Sequence, residues 1–111
     1  MNIQEWESKS LSSYWCWLFV AGSYHAIEQI CREFVLSGLC VTIEPIKYIY
    51  SGGAEDGTKI GFIQYARFPT DEEEILKKVE CLGKLIVERS GQLSFSIVDP
   101  YKTYYWSRAD K

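Results

Sequence analysis

The apolar residues of this chain form a short continuous run, then recur at helical spacing, then return to strand-like runs and to helical spacing again before a last alternating strand. That order of periods constrains the fold more than any other feature. From Tyr14 to Val20 the run Tyr-Trp-Cys-Trp-Leu-Phe-Val is aromatic and branched, as in a strand near the middle of a sheet. Gly22 ends it, and Ser23 is placed to cap a helix whose apolar positions Ile27, Ile30, Cys31 and Phe34 share one side. Gly38 can close that helix in a left-handed conformation. A strand follows from Leu39 to about Tyr50, where Pro45 removes a ladder donor and so asks for an edge position or a bulge. Ser51-Gly-Gly-Ala-Glu-Asp-Gly57 reads as a hairpin loop and Ile60 to Tyr65 as the returning strand.

Thr70-Asp-Glu-Glu73 has the pattern of a capping box, and it opens a second helix with buried stripe Ile75, Val79, Leu82 and Ile86. Gly83 beside that stripe suits close approach to a sheet, and Gly91 ends the helix. Leu93, Phe95 and Ile97 then alternate with serines in a strand buried on one face, and Thr103 to Ser107 is a candidate extra strand after the Asp99-Pro100 break. Strand, helix, strand, strand, helix, strand is the split β-α-β order, so the expected fold is an α+β, ferredoxin-like β-α-β-β-α-β sandwich. Each helix has a single apolar stripe to bury, which puts both on one face of an antiparallel sheet and leaves the other face open.

Length bounds the organisation: 111 residues suffice for one core, with residues 1–13 as a polar, Ser-rich tail and 14–111 as the domain. A net charge of -3 and a pI near 5.2 disfavour nucleic acid as the partner. The longest apolar stretch, Trp15 to Gly22, is too short for a membrane span and lacks signal-peptide flanks, so the expected location is cytoplasmic. Cys16, Cys31, Cys40 and Cys81 have neither paired spacing nor histidine partners, since His25 is the only histidine. They read as reduced thiols, and no metal or cofactor is expected.

The open face is the informative surface. If Leu18 and Val20 face the core, Trp15, Trp17 and Phe19 face away from the helices, and Phe62 and Ile60 join them if Gly61 and Ile63 point inward. Such a patch exceeds what a monomer normally leaves wet. It could be covered by the chain's own ends, through Trp6 and Leu11 or Tyr104, Tyr105 and Trp106. It could instead be covered by a partner protein or homodimer, or by stacked bases. Leu18-Phe19-Val20 and Gly61-Phe62-Ile63-Gln64-Tyr65 resemble the two motifs of RNA-recognition domains, with Phe19 and Phe62 as stacking residues. However, Ile60 stands at the third aromatic position and Thr58 where a basic residue belongs.

Other chemistries fit poorly. Gly52 and Gly57 have phosphate-loop spacing, yet Thr58-Lys59 inverts the required order, and Glu55 and Asp56 would repel phosphate. His25 and Cys31 lie six apart on one helix and point to different sides. Asp71, Glu72, Glu73 and Glu74 form an acidic patch that serves the helix dipole or, alternatively, meets a basic partner. No catalytic constellation can be specified, so an enzyme is not expected.

Cys31-Arg-Glu-Phe, Gly38-Leu-Cys-Val-Thr-Ile-Glu-Pro45, Tyr48-Ile-Tyr-Ser-Gly-Gly53, Gly61-Phe-Ile-Gln-Tyr-Ala-Arg-Phe-Pro69 and Trp106-Ser-Arg108 together resemble short uncharacterised accessory proteins of large lytic tailed phages. The resemblance implies a phage protein made in the bacterial host cytoplasm, where it binds a host protein, and it brings no activity. Tyr48, Tyr50, Arg67 and Arg108 read as side chains packing the hairpin against the C-terminus, or alternatively as a binding rim. The expected function is therefore a non-enzymatic protein binding a host or self protein through the aromatic face. The alternatives are a single-stranded nucleic-acid binder of the RNA-recognition type and an immunity protein or antitoxin for a basic toxin.

Overall fold

The computed structural model describes residues 5–108. Five strands and two helices follow in the order β1 (Trp15–Ala21), α1 (Tyr24–Phe34), a 3-10 turn (Val35–Ser37), β2 (Thr42–Tyr50), β3 (Gly53–Ile63), α2 (Glu72–Ser90), β4 (Ser94–Val98) and β5 (Thr103–Ser107). They form one antiparallel sheet in the order β2-β3-β1-β4-β5. This is an α+β sandwich consistent with the ferredoxin-like arrangement, with β5 added beyond β4 as a fifth strand. Pro45 lies on the edge strand β2, where a missing amide costs no ladder bond on the outer side.

One core joins both helices to a single sheet face. Cys16, Leu18 and Val20 of β1, Ile60 and Phe62 of β3, and Phe95 and Ile97 of β4 meet Ile27 and Ile30 of α1 and Ile75, Val79, Leu82, Ile86 and Val87 of α2. Ser23 caps α1 by accepting from the Ala26 amide at 3.5 Å, and Gly91 closes α2 with φ +76°. Gly83 is packed so tightly that a Cβ there would lie 2.4 Å from the Phe95 ring, which sets the approach of α2 to the sheet.

Four sequence expectations change. Phe62 and Ile60 face the helices, because they pair with Cys16 and Leu18 in the register and paired residues share a face; Phe62 is 1% exposed. Gly61 and Lys59 take the open side instead. The hairpin loop shrinks to Ser51-Gly52, since Gly53 to Asp56 pair with Lys47 to Tyr50 and Lys47 bonds Asp56 at 2.8 Å. Thr70 does not cap α2. Its backbone is held on both sides by the Gln64 side chain, whose Oε1 accepts from the Thr70 amide at 2.7 Å and whose amide nitrogen donates to the Thr70 carbonyl, and Asp71 becomes the N-cap. Leu93 is 65% exposed because it precedes β4 and overhangs the end of the core.

The start of β1 is fixed by a buried carboxylate. Asp99, 6% exposed, accepts from the Tyr14 hydroxyl at 2.9 Å, the Tyr104 hydroxyl at 3.4 Å, and the amides of Tyr101 and Lys102 at 2.8 and 2.7 Å. Burial pushes the Asp99 carboxyl up, but these four donors outweigh it and hold the group below its ordinary value. Burial, the hydrogen bond to Asp99 and its charge all raise the Tyr14 phenol. The neighbouring Cys16 thiol is pushed up to about 12, chiefly by burial, so it remains a neutral core thiol.

Candidate functional site

The helix-free face is built from glycine-aromatic contacts. Tyr48 and Tyr50 of β2 lie across Gly57 and Gly53 of β3: a Cβ at 57 would fall 2.4 Å from Tyr48 Cε2, and one at 53 would fall 3.0 Å from Tyr50 Cε1. Both glycines replace side chains that would otherwise prop the phenol rings off the sheet. Farther along the same face a Cβ at Gly61 would meet Thr42 Oγ1 at 2.5 Å and Trp17 Cδ1 at 3.6 Å. Trp15 and Trp17 stack with centroids 4.5 Å apart, and the Lys59 ammonium sits 3.8 Å above the Trp17 ring and 6.0 Å from Phe19. Glu44 pairs with the same lysine at 3.7 Å.

Where the flattened tyrosines end, the sheet opens into a cleft of about 360 Å³. Tyr48, Tyr50 and Glu55 form its β2-β3 wall, Phe19 and Ala21 its floor, and Ser94 and Ser96 with Gln92 its β4 wall. Tyr48 and Glu55 stand directly opposite each other in the ladder. Burial, followed by the Glu55 charge, raises the Tyr48 phenol, which keeps it a protonated hydrogen-bond donor. Glu55 is the one carboxylate among the lining residues, and the lining holds no Lys, Arg or His. The volume lies at the lower end of small-ligand sites. The lining thus offers two phenol rings, serine hydroxyls, one amide and one negative charge.

The sequence-predicted site residues are distributed unevenly over this surface. Trp15, Trp17 and Phe19 lie on the helix-free face, and only Phe19 enters the cleft. Phe62 is in the core, so a Phe19-Phe62 stacking platform for bases does not exist. Asp71, Glu72, Glu73 and Glu74 stand at the N-terminal end of α2, outside the cleft, with Glu74 bonded to Lys78 at 3.3 Å. Of the proposed rim, Tyr48 and Tyr50 line the cleft. Arg67 instead stacks on Phe68, and Arg108 borders a separate groove beside α2. Glu55, Ser94, Ser96 and Gln92 were not anticipated. For Glu55 the available signal was Tyr-x-Tyr-Ser-Gly-Gly followed by Gly57 and Gly61, glycines four apart that leave one strand face bare.

No protein-family model matches the chain, and no curated protein matches it. Two solved structures do match. A phage SAM lyase in complex with S-methyl-5'-thioadenosine superposes with a TM-score of 0.69 at 17% identity, covering 94% of this chain and 96% of its own. A phage SAM lyase in the apo state gives 0.62 at 15% identity, covering 96% of each chain. The likeness is one of fold. It overturns the expectation of a non-enzymatic accessory protein, because the entire architecture, helix-free face included, is one that a phage enzyme uses. Among the described residues no three His, Cys, Asp or Glu side chains converge as a metal site, and no helix is long and apolar enough to cross a membrane.

Proposed function

We propose that this chain is a phage-encoded lyase that cleaves S-adenosylmethionine, with the cleft between Tyr48, Glu55 and Ser96 as its substrate site. The end-to-end fold match to a lyase that binds S-methyl-5'-thioadenosine carries this reading. The chemistry of the cleft supports it. Tyr48 and Tyr50 offer faces for adenine, the β4 serines and Gln92 offer hydrogen bonds to ribose and base, and Glu55 offers a charge partner for the sulfonium.

Release of the thioadenosine product requires that the bond between sulfur and the methionine Cγ break, with its electron pair going to sulfur. The substrate can do this alone: an α-carboxylate oxygen attacks Cγ, the O–Cγ bond forms as Cγ–S breaks, and a five-membered lactone leaves beside a neutral thioether. Such a closure demands orientation more than acid or base, and positioned intramolecular attack is worth on the order of 7–11 kcal/mol at best. In this reading the aromatic walls and Glu55 bind and select the cation, and the rigid sheet holds the methionine arm in the bent, in-line form. Glu55→Gln tests the assignment: S-adenosylmethionine binding falls by about tenfold or more while neutral S-methyl-5'-thioadenosine binds as before, consistent with loss of one close charge partner. Equal weakening of both ligands would remove Glu55 from the sulfonium site.

A further inference from the structure

We propose that Lys59 and Glu44 form the subsite for the α-amino-acid end of the substrate, Lys59 taking its carboxylate and Glu44 its ammonium. This inference rests on the reading of the cleft as an S-adenosylmethionine site and extends that site along the sheet. Among the described residues, the strand positions facing away from the helices carry three charged side chains, Glu44, Lys59 and Glu55. Lys59 stands opposite Glu44 on β2 and opposite Phe19 on β1, and Glu55 stands opposite Tyr48. S-adenosylmethionine carries a sulfonium, an ammonium and a carboxylate. Two negative groups and one positive group on the face are therefore the complement of the charges on the ligand.

Lys59 stands at the margin of the cleft, which has no cation of its own. Its ammonium lies 6.0 Å from the ring of Phe19, the cleft floor. On β3 it follows Glu55 by four residues, about 13 Å of strand, with Gly57 alone between them on that face. The flexible four-carbon stem lets the ammonium swing from Trp17 over Phe19 into that gap, and the four bonds from sulfur to the carboxyl carbon bridge the remainder. The charge is also held in a way that leaves it available. The Lys59 side chain is 24% exposed, less than those of Lys47, Lys78 and Lys84, yet its 3.7 Å contact with Glu44 is longer than theirs with Asp56, Glu74 and Glu80. The ammonium rests mainly on the Trp17 ring at 3.8 Å, which attracts a cation while leaving N–H donors for an incoming carboxylate. With one carboxylate oxygen fixed by Lys59, the other is oriented to attack Cγ.

Calorimetric titration with three adenosine ligands tests the subsite. S-adenosylhomocysteine keeps the amino-acid end but has a neutral sulfur, and S-methyl-5'-thioadenosine lacks both the end and the charge. Lys59→Met keeps an apolar stem over Trp17 and removes the ammonium. It lowers affinity for S-adenosylmethionine and S-adenosylhomocysteine by about tenfold or more, as loss of one charged hydrogen-bond partner does, and leaves S-methyl-5'-thioadenosine binding as before. Lys59→Arg keeps the charge and most of the affinity. Glu44→Gln weakens the same two ligands, whereas Glu55→Gln spares S-adenosylhomocysteine and weakens S-adenosylmethionine alone. Circular dichroism confirms that each variant is folded. Binding of S-adenosylhomocysteine that survives Lys59→Met overturns the proposal. So does equal weakening of all three ligands, which would give Lys59 a role in the sheet and not in recognition. Either result, with native chain still binding S-methyl-5'-thioadenosine, removes the subsite and leaves the cleft in place. Native chain that binds none of the three removes the cleft reading itself, and the subsite with it.

Discussion

Tyr48 lies flat over Gly57, so close that a Cβ at position 57 would be 2.4 Å from its ring and 3.0 Å from the Val20 carbonyl oxygen. The ring cannot rest there over any residue with a side chain, and it forms one wall of the cleft. Gly57→Ala therefore lifts Tyr48 and reshapes the cleft. Overpacking of this kind costs about 1–3 kcal/mol of stability. Calorimetric titration with S-methyl-5'-thioadenosine should show affinity falling by roughly tenfold beyond what partial unfolding explains. Unchanged binding would place the nucleoside elsewhere.

Gly83 and Phe95 make the corresponding contact inside the core, where a Cβ would come within 2.4 Å of the Phe95 ring. Gly83→Ala is expected to lose about 1–3 kcal/mol even though alanine is the better helix former. Phe95→Leu costs stability alone but recovers part of the loss in the double variant, because the shorter side chain vacates the clash. Chemical denaturation of the four proteins measures the coupling. Strict additivity would show that α2 and β4 do not press on each other here.

The Asp99 carboxylate contributes to acid stability. Its folded value lies below the ordinary one, so the ionised form is bound more tightly in the folded chain. The stability it contributes is present above the unfolded value of about 3.9 and is lost as pH falls through the lower folded value. Asp99→Asn removes this acid dependence and, by leaving hydrogen-bond partners poorly matched, costs about 1–3 kcal/mol at neutral pH. Denaturation curves between pH 7 and pH 2 should show a steeper acid loss for the native chain than for the variant. Parallel curves would assign the acid transition to another group.

Much of the architecture was legible in the sequence because it rests on long apolar periods. The run from Tyr14 to Val20 follows from its continuous aromatic and branched residues, the stripes of both helices from helical spacing, and the edge position of Pro45 from one missing amide. The phase of β3 was not legible. Ile60-Gly-Phe-Ile63 is apolar at every position, so either phase puts something hydrophobic inward, and only pairing with Cys16 and Leu18 decides it. The same ambiguity hid the candidate site. Gly53 and Gly57 looked like loop residues because glycine is a poor strand former, whereas here they are strand positions kept bare for the tyrosine rings. Glu55 looked like loop charge for the same reason. The Thr70 capping box failed for a tertiary cause, since Gln64 had already claimed that backbone.

The central claim is catalytic, and product analysis tests it most directly. Purified chain is incubated with S-adenosylmethionine and no second substrate, and the mixture is resolved by chromatography and mass spectrometry. The account predicts S-methyl-5'-thioadenosine at a rate proportional to protein and well above spontaneous breakdown, with one equivalent of homoserine lactone. It also predicts a lower rate for Glu55→Gln and Gly57→Ala. Folded protein that leaves S-adenosylmethionine decomposing only at its spontaneous rate would contradict it.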